Sequence, residues 1–179
     1  MPIAYIGMGG NLASWVGEPE ATLAAAARRL HSLGRVVRQS SLYSTTPVGF
    51  AEQPRFVNAV VALETGLAPL ALLVGLLAIE QDFGRERTAG FQNCPRTLDL
   101  DILLYGDLQI REPGLEIPHP RLAERAFMLI PLNEIAAQVV VPGLARTVQQ
   151  LLASLSEVLD SDAVIQVNGE DWTDDEVSK

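Results

Sequence analysis

Apolar and polar positions along the chain follow two different periods, which together predict a mixed α+β protein. Short runs rich in β-branched and apolar residues are typical of strands, whereas longer runs with apolar residues on successive turns are typical of helices. Pro19 lies near the start of one such helix, and Gly34 and Gly84 follow the helix ends as stop signals. The predicted strands span 3–7, 36–44, 56–65 and 97–105, and the predicted helices span 19–33 and 69–83.

The order of these elements is β-α-β-β-α-β, the split βαβ arrangement of ferredoxin-like folds. Such a core has a mainly antiparallel sheet with its helices packed on one face. Beyond it, the pattern predicts a short strand or turn at 108–118, C-terminal helices near 121–136 and at 146–158, and an edge strand at Val164–Val167. We therefore expect a single domain over residues 1–168, followed by an acidic, disordered tail over residues 169–179.

The second predicted helix, 69–83, is apolar on nearly every side. A helix on the surface of a domain should keep a polar stripe toward water. Two interpretations remain open: later segments of the chain cover this helix, or the helix forms a subunit interface. We expect a monomer, with a dimer through the 69–83 helix as the alternative.

The net charge of −9 over 179 residues argues against a general binder of nucleic acid or of anionic membranes. No apolar run reaches the ~18 residues that span a bilayer, and the N-terminus lacks the pattern of a signal peptide. Cys94 is the only cysteine, so no internal disulfide can form. These features predict a cytoplasmic protein.

Positive charge is concentrated in one part of the chain. Six of the twelve arginines lie between residues 85 and 125, whereas the single lysine is Lys179. Arginine makes forked contacts to phosphate oxygens. An acidic protein with a local arginine cluster is therefore consistent with a polyphosphate ligand.

Two aspartates, Asp99 and Asp101, lie two residues apart in the predicted strand and so project to the same face. Carboxylates at this spacing can converge on Mg²⁺, which takes few protein ligands and fills its shell with water and phosphate oxygens. A solvated face of an edge strand is the competing interpretation. Nearby cationic residues favour the metal site, because carboxylates with arginines recur in phosphoryl transfer; these are Arg85, Arg87, Arg96 and His119.

The glycines of Gly9–Gly10–Asn11 do not form a dinucleotide fingerprint, because the pattern G-x-G-x-x-G is not met and residue 12 is leucine. No Walker A pattern is present either. We interpret Gly9–Gly10–Asn11 as a tight structural turn after the first strand.

The ordered motifs of the chain resemble the 6-hydroxymethyl-7,8-dihydropterin pyrophosphokinase family. They are AYIGMGGNL, SSLYSTTPVG, FVNAVVALET, PRTLDLDILLYG, IPHPR and RAFMLIPLNEIA, and the similarity runs from about residue 3 to residue 150. The resemblance implies a ferredoxin-like α+β fold, in agreement with the element order. It also implies transfer of pyrophosphate from ATP to the hydroxymethyl group of the pterin, with release of AMP, in folate biosynthesis.

The resemblance further implies a role for each matching residue. Asp99 and Asp101 would hold two Mg²⁺ ions. Arg85 and Arg96 would contact the phosphates during the reaction. The implied ATP-binding residues are Glu80, Arg87, Ile102, His119 and Arg125. The implied pterin-binding residues are Thr45, Pro47, Val48, Phe56, Asn58 and Phe127.

Several of these residues also have a purely structural interpretation. Phe56 and Phe127 could belong to the core, and His119 could be a turn residue between two prolines. Arg85 and Arg87 could be solvated loop charges, although Gly84 suits a hinged loop. The chain also departs from the family pattern in the loop before Arg96, where Asn93 and Cys94 replace an aromatic and a small residue. Three further departures are Leu77, Gly114 and Phe56.

These departures leave alternatives to the enzyme. One is a catalytically weakened paralogue that binds pterin and nucleotide in a regulatory role. Another is an interaction protein that dimerises through the 69–83 helix. Because the metal and phosphate residues are kept, we expect an ATP-dependent pyrophosphokinase whose partners are small molecules.

Overall fold

The structure is a computed structural model that describes residues 1–47, 52–85, 95–156, 164–167 and 172. The predicted pterin residue Val48 and the predicted ATP residue Arg87 lie outside these ranges, as do Asn93 and Cys94. In chain order, the elements of the core are β1 (Ile3–Gly10), α1 (Pro19–Leu30), β2 (Arg35–Gln39), β3 (Leu42–Thr45), β4 (Phe56–Glu64), α2 (Pro69–Asp82) and β5 (Asp99–Tyr105). The C-terminal elements are β6 (Ile110–Glu112), β7 (Leu115–Ile117), a 3-10 turn (Leu122–Glu124), α3 (Ala126–Ala136), β8 (Val140–Val141), β9 (Arg146–Thr147), α4 (Val148–Ser156) and β10 (Val164–Val167).

The main sheet of the described residues is antiparallel throughout, with the order β10-β3-β4-β1-β5 and with β2 also paired to β4. The central strand β1 therefore lies between β4 and β5. This arrangement confirms the predicted ferredoxin-like core. The predicted edge strand Val164–Val167 is confirmed as β10, which pairs with β3.

Helices cover both faces of the sheet. The predicted helices α1 and α2 share one apolar core with β1, β4 and β5, with residues such as Leu23, Leu76 and Leu100 fully buried. The C-terminal helices α3 and α4 form a second core on the opposite face around Leu104 and Leu129. The fold thus has α1 and α2 on one face of the sheet and α3 and α4 on the other.

The sequence pattern placed several boundaries wrongly. The predicted single strand 36–44 is two strands, because at Ser40 the side-chain hydroxyl accepts a hydrogen bond from Val60 N at 2.9 Å and interrupts the strand. The helix predicted over 19–33 ends at Leu30, and the strand predicted from residue 97 begins at Asp99. The segment near 121–136 is divided between the 3-10 turn and α3, while 146–147 is a strand before α4. Gly9 and Gly10 belong to β1 and not to a turn.

The outer side of α2 is open to solvent among the described residues. Leu70 is 59% exposed and Val74 is 60% exposed, whereas Leu72 and Leu76 on the inner side are fully buried. No described later segment covers this side, so the first interpretation of the apolar helix fails for the described part of the chain. The subunit-interface interpretation stays a prediction.

Little of the predicted tail falls within the described residues. Trp172 is half-buried, and its indole N–H donates a hydrogen bond to Ser40 O at 2.9 Å. Across the described ranges, no helix combines the length and the apolar character that crossing a bilayer requires.

Candidate active site

Three strands place the candidate site residues in one row across the sheet. Gly9 of β1 lies opposite Asn58 of β4 on one side and opposite Asp99 of β5 on the other. Asp101 lies opposite Gly7. Residues directly opposite each other in an antiparallel pair project to the same face. Because both β1 positions are glycine, neither aspartate has a neighbouring β1 side chain on that face.

Asp99 is held by two of the predicted arginines. Arg85 Nη1 donates to Asp99 Oδ1 at 2.5 Å, and Arg96 Nη1 donates to Asp99 Oδ2 at 2.6 Å. The Asp99 side chain is only 23% exposed. A solvated face of an edge strand therefore does not describe Asp99. The same contacts show that Arg85 is not a solvated loop charge, whereas Arg87 lies outside the described residues.

Glu80 supports this arrangement from the last turn of α2. Its side chain is 1% exposed, and Oε1 accepts a hydrogen bond from Leu100 N at 2.8 Å. The same oxygen accepts a charge-assisted hydrogen bond from Arg85 Nη1. Glu80 thus fixes Arg85 next to Asp99 and ties α2 to β5.

Asp101 is the member of the acidic group whose charged form is disfavoured. Burial, together with the negative charges of Asp99 and Glu80, raises the pKa of Asp101 to about 7, although Arg85 and Arg125 act in the opposite direction. A cation bound next to Asp99 and Asp101 would favour the ionised form of Asp101. Within the described ranges, no group of three or more Asp, Glu, His or Cys residues could hold a metal ion, so a divalent cation at the two aspartates would take its other ligands from the substrate and from water. Two carboxylates plus phosphate oxygens and water form a typical Mg²⁺ shell.

A cavity of about 290 Å³ lies beside β5. Its lining includes Asp101, Ile102 and His119, three of the predicted metal or ATP residues. Two acidic residues that sequence reasoning missed, Glu112 and Glu116, also line it. Their position on the β6–β7 hairpin gave no sequence signal, because nothing in the pattern shows which cavity a hairpin borders.

His119 is neutral at physiological pH. Burial and the nearby charge of Arg125 lower the pKa of His119 to about 4. Its Nδ1 accepts a hydrogen bond from Arg121 N at 3.1 Å, so the remaining proton is on Nε2. His119 is thus a turn residue, as the structural interpretation held, and also a neutral hydrogen-bond donor beside the cavity.

Two of the predicted pterin residues, Asn58 and Thr45, contact each other. Thr45 Oγ1 accepts a hydrogen bond from Asn58 Nδ2 at 2.6 Å, and both side chains are buried. Phe56 and Phe127 are half-buried, so neither ring belongs to the fully buried core. The Arg96 guanidinium lies 5.7 Å from the centre of the Phe56 ring. The Arg125 guanidinium lies 5.4 Å from that of Phe127.

The structure therefore brings most of the predicted residues to one region, where the predicted pterin-binding residues lie next to the predicted phosphate-binding residues. Pro47 is half-buried just beyond β3. Sequence reasoning missed Asn11 and Gln53, whose amide side chains hydrogen-bond to each other. The only sequence signal for Asn11 was its place directly after two glycines.

Comparisons with known proteins agree with this site. The family model for 7,8-dihydro-6-hydroxymethylpterin-pyrophosphokinase matches residues 5–137. The 2-amino-4-hydroxy-6-hydroxymethyldihydropteridine pyrophosphokinase of Pseudomonas aeruginosa is 45% identical over 152 residues, which cover 84% of this chain and 90% of that protein. The protein of the same name from Haemophilus influenzae is 39% identical, with 94% and 99% covered.

A solved structure shows the same fold. The crystal structure of wild-type Plasmodium falciparum HPPK-DHPS matches with a TM-score of 0.67 and 17% identity. The match covers 86% of this chain and 44% of that chain, so this chain spans less than half the length of that protein. From the family model and the bacterial relatives, we conclude that this chain belongs to the 7,8-dihydro-6-hydroxymethylpterin-pyrophosphokinase family.

Proposed function

We propose that this chain transfers pyrophosphate from ATP to the hydroxymethyl group of 6-hydroxymethyl-7,8-dihydropterin, with release of AMP, as a step of folate biosynthesis. The observation that carries the proposal is the row Asn58–Gly9–Asp99, which joins the pterin-binding residues to a carboxylate held by two arginines. We propose a monomer as the working unit and the cytoplasm as its compartment.

Asp99 and Asp101 are the residues that would hold Mg²⁺, and we propose two ions. Bound there, Mg²⁺ would neutralise and orient the oxygens of the triphosphate. The raised pKa of Asp101 supports this assignment, because a bound cation would favour the ionised carboxylate that the apo site disfavours.

The two arginines stabilise the charge that develops on the transferred group. In the reaction, the hydroxymethyl oxygen of the pterin forms a bond to the β-phosphorus of ATP. The bond from that phosphorus to the oxygen bridging to the α-phosphate breaks, so AMP leaves and the alcohol proton passes to solvent. Arg85 and Arg96 are salt-bridged to Asp99, and the phosphates would lie next to these two arginines. Fixed cations of this kind act by positioning and charge stabilisation and need no covalent intermediate.

The nucleotide would lie along the cavity beside β5. Neutral His119 can donate its Nε2–H to a nucleotide oxygen without adding charge, while Arg125 supplies a cation at the start of α3. Ile102 and Leu115 give the cavity apolar walls. Glu80 acts through Arg85, since its carboxylate is buried and already hydrogen-bonded.

The pterin would bind around Asn58. The amide of Asn58 donates to Thr45, which fixes its orientation and leaves Oδ1 as an acceptor for the N–H groups of the pterin. We propose that Phe56 and Phe127 stack against the ring; each has an arginine nearby. We propose Pro47 and Val48 as further borders of this site.

The test is AMP release from ATP and 6-hydroxymethyl-7,8-dihydropterin with Mg²⁺. Asp99→Asn should lose activity by about 10²–10³-fold, because the carboxylate that would bind the metal becomes a neutral amide. Asp107→Asn is the matched control, since Asp107 is exposed beyond the end of β5. Wild-type protein that binds both substrates without forming AMP would instead identify a catalytically weakened paralogue.

A further inference from the structure

The interpretation as a turn does not explain the segment Gly9–Gly10–Asn11, which packs between two parts of the candidate site. Gly9 and Gly10 are the last residues of β1, paired on one side with Asn58 and Val57. Neither glycine has a positive φ, so backbone conformation does not explain them. Their lack of a side chain does, because neighbouring atoms lie where a Cβ atom would be.

Both glycines allow close approach of the two halves of the site. A Cβ atom on Gly9 would lie 2.5 Å from Asn58 Oδ1, on the pterin side. A Cβ atom on Gly10 would lie 2.4 Å from the carbonyl oxygen of Thr97, next to Arg96. The end of β1 is therefore packed tightly between a predicted pterin residue and the segment that carries a phosphate-binding arginine.

Asn11 fixes the backbone of Arg96 from two sides. Asn11 Oδ1 accepts a hydrogen bond from Arg96 N at 2.9 Å, and Asn11 N donates to Arg96 O at 2.9 Å. Leu12 N donates to the same carbonyl oxygen at 3.1 Å. The backbone from which the Arg96 guanidinium extends toward Asp99 is thus set by Asn11.

The same side chain reaches the segment that leads into β4. Asn11 Nδ2 donates to Gln53 Oε1 at 3.0 Å and to Pro54 O at 3.0 Å. Asn11 is 3% exposed and Gln53 is 9% exposed, so water competes little for these hydrogen bonds. Both amide N–H groups and the amide oxygen of Asn11 are therefore used, and neither aspartate nor serine could replace all three contacts.

A second contact joins the same two segments. Phe56 follows the Gln53–Pro54 pair after one residue, and its ring lies 5.7 Å from the Arg96 guanidinium. A pterin stacked on Phe56 would contact the segment 53–56, and a triphosphate bound by Arg96 would contact the segment 96–99. Because Asn11 hydrogen-bonds to both segments, a displacement of one segment by its ligand would be passed to the other.

We propose that Asn11 is a positioning residue that couples pterin binding to nucleotide binding through Gln53 and the backbone of Arg96. This inference rests on the proposed function, because it takes the two ligands from it. Asn11 itself contacts neither ligand in this proposal.

The experiment measures the dissociation constant of α,β-methylene-ATP with Mg²⁺ by calorimetry, with and without saturating 6-hydroxymethylpterin. The analogue cannot undergo the reaction, so binding is separated from turnover. In the wild type, we expect the pterin to tighten nucleotide binding by at least ~5-fold, the lower end of usual coupling between sites. Asn11→Ala should bring this ratio to about 2-fold or less, while each ligand alone still binds.

Variants of Gln53 distinguish coupling from general damage. Gln53→Ala removes the oxygen that accepts from Asn11 Nδ2 and should lower the coupling ratio, whereas Gln53→Glu keeps an acceptor oxygen and should retain it. Asn133→Ala on α3 is a matched control, because it removes an asparagine that lies away from this connection. If Asn11→Ala does not fold, the two Gln53 variants decide the question.

Two outcomes would overturn the inference, and they differ in what else they affect. A wild-type ratio near one, or an unchanged ratio in folded Asn11→Ala and Gln53→Ala, would overturn the coupling and leave the proposed function standing. Wild-type protein that binds neither ligand would overturn the proposed function and this inference together.

Discussion

The two halves of β5 project side chains to the same face of the sheet but differ in what lies above them. Leu103 and Leu104, in the second half, are fully buried in the core formed with α3 and α4. Asp99 and Asp101, in the first half, lie among charged side chains, since Asp99 is salt-bridged to Arg85 and Arg96 and the charge of Arg125 acts on Asp101. The same strand therefore contributes both to the core and to the candidate site.

An irregularity in β5 increases this contrast. The pairing of β5 with β1 shifts between Tyr5 and Ile6, which leaves Leu103 as an additional residue. Because of this β-bulge, Leu103 and Leu104 both contribute to the core beneath α3. The bulge at Leu103, two residues after Asp101, therefore lies between the acidic half and the apolar half of the strand.

The largest effect should follow from placing a carboxylate in the covered half. Leu104→Asp should lower the free energy of unfolding by more than about 4 kcal/mol, since the buried charge would have no partner among the packed leucines and isoleucines. Urea denaturation measures the change. Leu108→Asp, at a position 39% exposed, is the control and should change it by less than about 0.5 kcal/mol. A folded Leu104→Asp protein of normal stability would show that this half is not closed.

A smaller loss should follow from removing the buried acid that supports the open half. Glu80→Ala leaves Leu100 N without its acceptor and removes one of the two carboxylates that accept from Arg85 Nη1, so it should lower the free energy of unfolding by about 3 kcal/mol. Glu80→Gln keeps an oxygen for Leu100 N and should lose about half as much. Urea denaturation at pH 7 again measures both. Equal losses in the two variants would mean that the negative charge, and not the hydrogen bond to Leu100, matters.

An increase in thermal stability is expected when the carboxylate of Asp101 is replaced. In the folded protein the pKa of Asp101 is about 7, above the ordinary value that applies to the unfolded chain. Between these two pKa values the folded protein keeps this proton and the unfolded chain does not, so the free energy of unfolding falls as the pH rises, and the loss is complete above pH 7. Without metal, Asp101→Asn should therefore raise the melting temperature by roughly 2–4 °C at pH 8 and change it little below pH 4, although it should abolish pyrophosphate transfer. Differential scanning calorimetry across this pH range tests the sign. A destabilised variant at pH 8 would contradict the repulsion between Asp101 and its acidic neighbours.

The smallest effect should be that of His119. Because its pKa is lowered to about 4, the imidazole stays neutral from pH 6 to pH 8. His119→Gln should raise KM for ATP by about 3–10-fold through the loss of one hydrogen bond, without changing the shape of the pH–activity profile over that range. Steady-state kinetics at three pH values measure both quantities. A profile that loses an inflection near pH 6.5 in the variant would show that His119 titrates during the reaction.

The acidic part of the candidate site could be predicted from the sequence because it follows from short-range geometry, whereas the candidate ATP and pterin residues follow from the resemblance of the ordered motifs. The spacing of Asp99 and Asp101 fixes a shared face on any strand, and the arginines around them indicate phosphate. The contact of Asn11 with Gln53 could not be predicted, because it joins residues 42 positions apart through two amide side chains. The break at Ser40 was missed for a similar reason, since its hydroxyl bonds to a strand 20 residues away.

The sequence by itself determined the order of strands and helices and the family, and it predicts which residues would bind metal and phosphate. Local periodicity and ordered motifs carry that information, because they depend on neighbours along the chain. Only the tertiary structure decided that Gly9 lies between Asn58 and Asp99 and that Arg85 is salt-bridged to both Glu80 and Asp99. These features depend on strand register and on the packing of α2 against β5, and residues distant in sequence set both.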